Sequence, residues 1–226
     1  MASDSPTGDG FDPRVVPPAV VDLLARLERR VPCHLGGGAA LSGAYLRHRL
    51  SADVDLFVHD REGHRELVAQ LPEVAKETGT PIVLIRDSGS FVRARATPGG
   101  RPVELDLVHE PVPDIEPPPA PIDGVVVESL ADLRAAKITC ILSRSEPRDL
   151  VDLMFLDRAG HPPERDLHLA LRKDAGIDPG VLAWLLAEFP CEPLPLMLVP
   201  LTSAELRRFR DDLAERLRRV AGGGDA

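Results

Sequence analysis

Two short stretches hold the side chains with the clearest chemical potential. In residues 53–58 (DVDLFV) a D-x-D pair heads an apolar alternation. Period two puts Asp53 and Asp55 on one face of a strand and turns Val54 and Leu56 to the other. In residues 101–108 (RPVELDLV) the same alternation puts Glu104 and Asp106 on one face, opposite Val103, Leu105 and Leu107. Adjacent carboxylates repel one another unless a cation lies between them. Hard oxygen ligands suit Mg²⁺, with Mn²⁺ as the alternative. Asp106 sits deeper in its apolar run and is the expected third ligand, with Glu104 in reserve. Acids on two strands can hold two metal ions, one activating an attacking hydroxyl and both screening charge during in-line transfer. Upstream, Gly36-Gly37-Gly38 opens a helix, where backbone N–H groups face an anion. The parts together predict a metal-plus-triphosphate site.

These residues need a frame. Residues 1–13 are polar and rich in Gly, Pro and Asp and read as a disordered tail. Apolar spacing predicts helices over 19–30, 39–50 and 62–78, and strands over 54–58, 81–87, 90–96 and 102–108. Six prolines between 110 and 121 make a stiff connector. A short strand is expected at 124–127. The pattern then turns helical. Ser129 with Asp132 reads as a capping box for a helix to 143, Pro147 opens a helix to 158, and shorter helices fall at 163–174 and 179–188. Thr202 with Glu205 caps a last helix to 220. The fold class is α+β: an α/β lobe with a mixed sheet (14–127), then an all-helical lobe (128–226).

One stretch ties chemistry to frame. Gly-Gly, a helix, and then HR-x-S-x-D-x-D-x-F, carried here by Gly37, Gly38, Leu41, His48, Arg49, Ser51, Asp53, Asp55 and Phe57, resembles the AbiEii/AbiGii toxin family. That family includes the MenT toxins and is a branch of the polymerase-β-like nucleotidyltransferases. A lysine on a helix followed by R-D-x-x-D-L, here Lys137 and then Arg148, Asp149, Asp152 and Leu153, continues the likeness, which spans roughly residues 34–156. The resemblance implies that Asp53 and Asp55 bind metal, that Lys137 and Asp149 serve the nucleotide, and that Ser51 lies beside its phosphates with Gly37 and Gly38. It also implies a transfer of NMP from NTP, a tRNA 3′ end as acceptor, and a cognate antitoxin protein. Two positions depart from the family: Ala39 stands where Thr is usual, and Arg47 where glycine is frequent.

Composition narrows the field. The chain has 226 residues, 43% hydrophobic and 28% charged, enough to bury a core. Aromatics at 4% argue against a surface of stacked bases. A net charge of −9 argues against DNA binding and confines any RNA contact to a local patch, for which the arginines of 202–220 are the candidate. The alternative for that helix is a solvated amphipathic face. The acidic balance leaves a small-molecule (antibiotic) or protein hydroxyl open as acceptor, and Ala39 leaves open a catalytically silent nucleotide-binding module. Cys33, Cys140 and Cys191 form no C-x-x-C pair, which suits a reducing cytoplasm, and no signal peptide or membrane span is expected. The histidines show no metal-binding spacing and read as structural or exposed. Only Lys76, Lys137 and Lys173 are lysines, which makes Lys137 more notable.

Overall fold

The computed structural model describes residues 6 and 10–223. They fall into two compact units that divide after Ser129. The first is built on a five-stranded mixed sheet of order β1-β2-β5-β4-β3. Its strands are β1 (His34–Gly36), β2 (Asp53–Val58), β3 (Ile82–Asp87), β4 (Phe91–Ala96) and β5 (Val103–His109). β2 and β5 run parallel at the centre, while β1–β2, β5–β4 and β4–β3 are antiparallel. Alternation works as the sequence implies: Val54, Leu56, Val58, Val92, Ala94, Leu105 and Leu107 are buried.

Helix α1 (Pro18–Glu28) starts on Pro18, whose missing N–H costs nothing in a first turn. It buries Leu23, Leu24 and Leu27. Helix α3 (Arg61–Thr78) is capped by Asp60, which accepts from Gly63 N at 2.6 Å, and ends on Gly79 in the left-handed region. It buries His64, Leu67, Leu71 and Val74 and reaches β5 through His64 Nε2, 3.1 Å from the Leu107 carbonyl. This packing covers one face of the central strands and leaves the other for the acids. On the far edge of the sheet, β3 is exposed at Val83, Leu84 and Ile85, and its register breaks between Leu84 and Arg86.

Several expectations need correction. The expected helix 39–50 is a single α turn, α2 (Gly37–Ala40), that widens into a π-helical segment at Leu41–Leu46. Part of the expected tail is packed: Phe11 and Asp12 are buried, and Asp12 N donates to the Gly43 carbonyl at 2.9 Å. The rest of that tail, residues 1–5 and 7–9, lies outside the described residues. The expected strand 124–127 is reduced to single bridges, Ile122 with Val125 and Leu35 with Val127. Strand β1 was not anticipated, since three residues ending in glycine carry no alternation to read.

The second unit holds α4 (Leu130–Ser143), α5 (Pro147–Arg158), α6 (Leu167–Lys173), α7 (Pro179–Ala187) and α8 (Ser203–Ala221). Ile138, Ile141, Leu153, Leu182, Leu186, Leu213 and Leu217 form its apolar centre. Thr202 and Glu205 make the reciprocal capping box, with Glu205 N donating to Thr202 Oγ1 at 3.2 Å and Thr202 N to Glu205 Oε2 at 2.8 Å. Asp132, in the first turn of α4, is fully buried, 2.7 Å from Lys173 Nζ. No helix of the described residues is long and apolar enough to cross a membrane.

Candidate active site

The glycine turn is shaped by what it touches. Gly37 sits at φ +61°, and a Cβ there would fall on Asp55 Oδ2. A Cβ on Gly38 would stand 2.5 Å from Arg49 Nη2 and 2.9 Å from Ser51 Oγ. The backbone thus passes in direct contact with the D-x-D strand, and only residues without side chains allow that approach. The π-helical segment that follows ends at Arg47, which adopts the left-handed conformation (φ 51°, ψ 37°). That conformation explains why glycine suits this position. Here Arg47 holds it with its N–H on the Ser42 carbonyl (2.9 Å) and Nη2 on the Gly10 carbonyl (3.0 Å). Ser42 Oγ donates to the Arg49 carbonyl at 2.5 Å and accepts from Arg49 N at 3.2 Å, which fixes the entry into β2.

Sheet register assembles the acids. Asp55 lies between Gly36 on β1 and Asp106 on β5, and Asp53 pairs with Glu104. Carboxylate oxygens of Asp53, Asp55 and Asp106 all lie within 4.8 Å of one another. Ser51 Oγ donates to Asp53 Oδ1 at 3.2 Å. Asp106 is 4% exposed and is gripped by Arg93, with Nε donating to Oδ1 at 2.7 Å and Nη2 to Oδ2 at 2.6 Å. The hydrogen bonds to Asp106 raise the Arg93 pKa well above its ordinary value, and it stays charged at any working pH. Glu104, the reserve ligand, turns instead to Arg95 (2.9 Å) and Arg93 (3.3 Å). Three carboxylates at this spacing, beside a glycine cradle, fit a hard divalent cation.

Lys137, Asp149 and Asp152 lie in the helical unit and form one buried network. Lys137 Nζ stands 2.8 Å from Asp152 Oδ2 and 3.3 Å from Asp149 Oδ1. Asp149 also accepts two bonds from Arg144, at 2.8 and 2.9 Å. Burial alone would raise the Asp149 carboxyl; the Arg144 hydrogen bonds and the charges of Lys137 and Arg144 outweigh it and hold the group below its ordinary value. Arg148, next to Asp149 in the motif, pairs with Glu146 at 2.5 Å. Half of the terminal arginines are occupied by acids: Arg207 with Glu192, Arg210 with Asp211, and Arg216 with Asp157, Glu164 and Asp212.

A family model described as nucleotidyl transferase AbiEii toxin, type IV toxin–antitoxin system, matches residues 20–225. The chain belongs to this family. As an AbiEii member it is a nucleotidyltransferase. Solved structures share its fold. JHP933 from Helicobacter pylori is 20% identical, with 89% of this chain and 90% of that one covered and a TM-score of 0.56. MenT4, a nucleotidyltransferase toxin from Mycobacterium tuberculosis H37Rv, is 19% identical, with 90% and 85% covered and a TM-score of 0.57. No curated protein sequence matches significantly.

The structure therefore brings Gly37, Gly38, Ser51, Asp53, Asp55 and Asp106 together in the AbiEii sheet unit, and Lys137 with Asp149 in the helical unit. Ala39 is fully buried in α2. Sequence reasoning missed Arg93. The F-x-R-x-R alternation of β4 put Arg93 and Arg95 on one face, but only the register shows that this face is the acids' own.

Proposed function

We infer that this protein transfers NMP from an NTP to a hydroxyl acceptor, in a reaction dependent on Mg²⁺ or Mn²⁺ held by Asp53, Asp55 and Asp106. The observation that carries the reading is the convergence of these three carboxylates beside Gly37. When bound, the metal supplies charge screening at the phosphates and acidifies the acceptor hydroxyl. The acceptor oxygen forms the new bond to the α-phosphorus as the bond to the β-phosphate bridge breaks and pyrophosphate leaves. Asp106, held through both oxygens by Arg93, retains further oxygen lone pairs, and it takes the acceptor proton. Ser51 holds Asp53 in place and, with the Gly37 and Gly38 backbone, lines the phosphates. The family likeness supports assigning Lys137 and Asp149 to the nucleotide.

The resemblance to the MenT toxins supports a tRNA 3′ end as acceptor and a cognate antitoxin protein as cytoplasmic partner. The α8 residues Arg208, Arg218 and Arg219 give RNA a local cationic approach that the net charge of −9 does not forbid. The test is incubation with each α-labelled NTP, Mg²⁺ and total RNA. Label on tRNA that disappears in Asp53→Asn is expected. Label on an aminoglycoside or a protein instead would move the acceptor, and no transfer to any acceptor would overturn the reading.

A further inference from the structure

A second cluster of ligand-type side chains lies on the same unit as the acids but apart from them. His34 opens β1, His59 follows β2, and Asp114 stands in the Pro-rich connector. One ligand atom from each lies within 4.8 Å of the others. His59 Nε2 is 3.0 Å from Asp114 Oδ1, and His34 Nε2 is 4.0 Å from the same oxygen. Glu128 Oε1 is 3.9 Å from His34 Nε2, beside this group of three. His34 and Glu128 are buried, and Phe57 stacks on the His34 ring at 6.0 Å. Phe57 also separates this cluster from Asp55 along β2.

The hydrogen bonding of His59 is the telling detail. Its Nδ1 is 2.9 Å from the Glu110 carbonyl, which can only accept, so Nδ1 carries a proton and donates. In a neutral ring Nε2 then presents a lone pair, and it faces a carboxylate oxygen 3.0 Å away. One proton joins two such atoms in the metal-free chain, and a divalent ion can take its place. A backbone carbonyl that takes the Nδ1 proton and aims Nε2 inward is the usual support of a metal-bound histidine. Ligands of a tetrahedral ion with bonds near 2.0–2.2 Å stand about 3.3–3.5 Å apart, and the observed separations bracket that spacing.

We propose that His34, His59 and Asp114 form a second metal site, completed by water and selective for a borderline divalent ion such as Zn²⁺ over Mg²⁺. Imidazole nitrogen favours Zn²⁺, whereas Mg²⁺ prefers oxygen and retained water. The ligands come from β1, the residue after β2 and the connector, so the ion pins the Pro-rich connector to the edge of the sheet. The histidines carry no spacing motif because the site is assembled by the antiparallel register of β1 with β2.

The test uses the full chain, stripped with a chelator and titrated with Co²⁺ and Zn²⁺. An Asp53→Asn/Asp55→Asn background removes the competing carboxylate site. One Co²⁺ per chain with the intense visible absorption of four-coordinate cobalt is expected in that background, displaced by Zn²⁺ and resistant to millimolar Mg²⁺. His59→Gln and Asp114→Asn, both at partly exposed positions that a folded chain tolerates, should each weaken Co²⁺ binding at least 30-fold with unchanged circular dichroism. Binding absent from the Asp53→Asn/Asp55→Asn background, or unaltered in both single variants, would overturn the proposal.

Discussion

Arg93 and Asp106 face each other across β4 and β5 and share two parallel hydrogen bonds of 2.7 and 2.6 Å. The guanidinium thus stands where a cation is needed, beside three carboxylates. It relieves part of their mutual repulsion before any metal binds and fixes Asp106 by both oxygens. Arg93 is therefore a positioning residue for the acids.

The Arg93→Gln variant should separate these effects. Losing charged hydrogen bonds at a partly exposed pair should cost about 1–2 kcal/mol. That corresponds to a fall of roughly 3–6 °C in the melting temperature of the metal-free protein. The rise in melting temperature on adding Mn²⁺ should exceed that of the parent, because the acids then lack their internal cation. Scanning fluorimetry with and without Mn²⁺ reads both; an equal metal response in parent and variant would count against the role.

Much of this arrangement was legible before any coordinates. The D-x-D strand, its partner strand 103–109 and the helices of the second unit follow from alternation, capping residues and proline positions. What was lost depended on pairing between distant segments. Alternation placed Arg93 on a face but could not say that Asp106 would be its neighbour. Helical spacing could not say what Lys137 packs against; it is buried against Asp149 and Asp152. The widening of α2 into a π turn has no periodicity of its own over six residues.

Gly37→Ala should be far more damaging than its size suggests. The left-handed backbone costs an L-residue about 1–2 kcal/mol, and the methyl must also displace Asp55. Gly79 supplies the control, since it has φ +64° with open space where a Cβ would go. Gly79→Ala should lose about 1 kcal/mol and keep full activity. Gly37→Ala should lose on the order of 100-fold or more in nucleotidyl transfer, because a small displacement of a catalytic carboxylate is enough for that. Urea unfolding and initial rates of label transfer on both variants decide it.

In the helical unit, Lys137→Met removes the cation beside two fully buried carboxylates. Breaking a buried pair from one side costs about 3–5 kcal/mol. Asp149 keeps its two bonds from Arg144, and the closer of the two Lys137 contacts, 2.8 Å, is the one to Asp152. Adding Asp152→Asn to Lys137→Met should therefore recover about 1–3 kcal/mol, whereas Asp149→Asn added in its place should not, because it leaves Arg144 unbalanced. A double-mutant cycle by urea denaturation measures the difference, and equal recovery by both would contradict the assignment.

Glu28 makes the stability of the sheet unit depend on pH. It closes α1 with both carboxylate oxygens 2.9 Å from the Val126 N–H, and so ties the segment after the Pro-rich connector to the first helix. Burial pushes its pKa up to about 7, against the opposing pull of that N–H. A carboxyl raised on folding binds its proton more tightly in the native state than in the unfolded one. Stability contributed at this site is therefore full below the unfolded value near 4.5 and declines as pH rises toward 7, where the loss levels off. Glutamine keeps an acceptor for the Val126 N–H and removes the titration. The stability of Glu28→Gln relative to the parent should accordingly improve between pH 5 and pH 8, by roughly 1–2 kcal/mol once solvent screening of a partly exposed group is allowed for. Unfolding free energies of both proteins in urea at pH 5, 6, 7 and 8 test this, and a difference that stays flat across the series would show that Glu28 titrates normally in the folded chain.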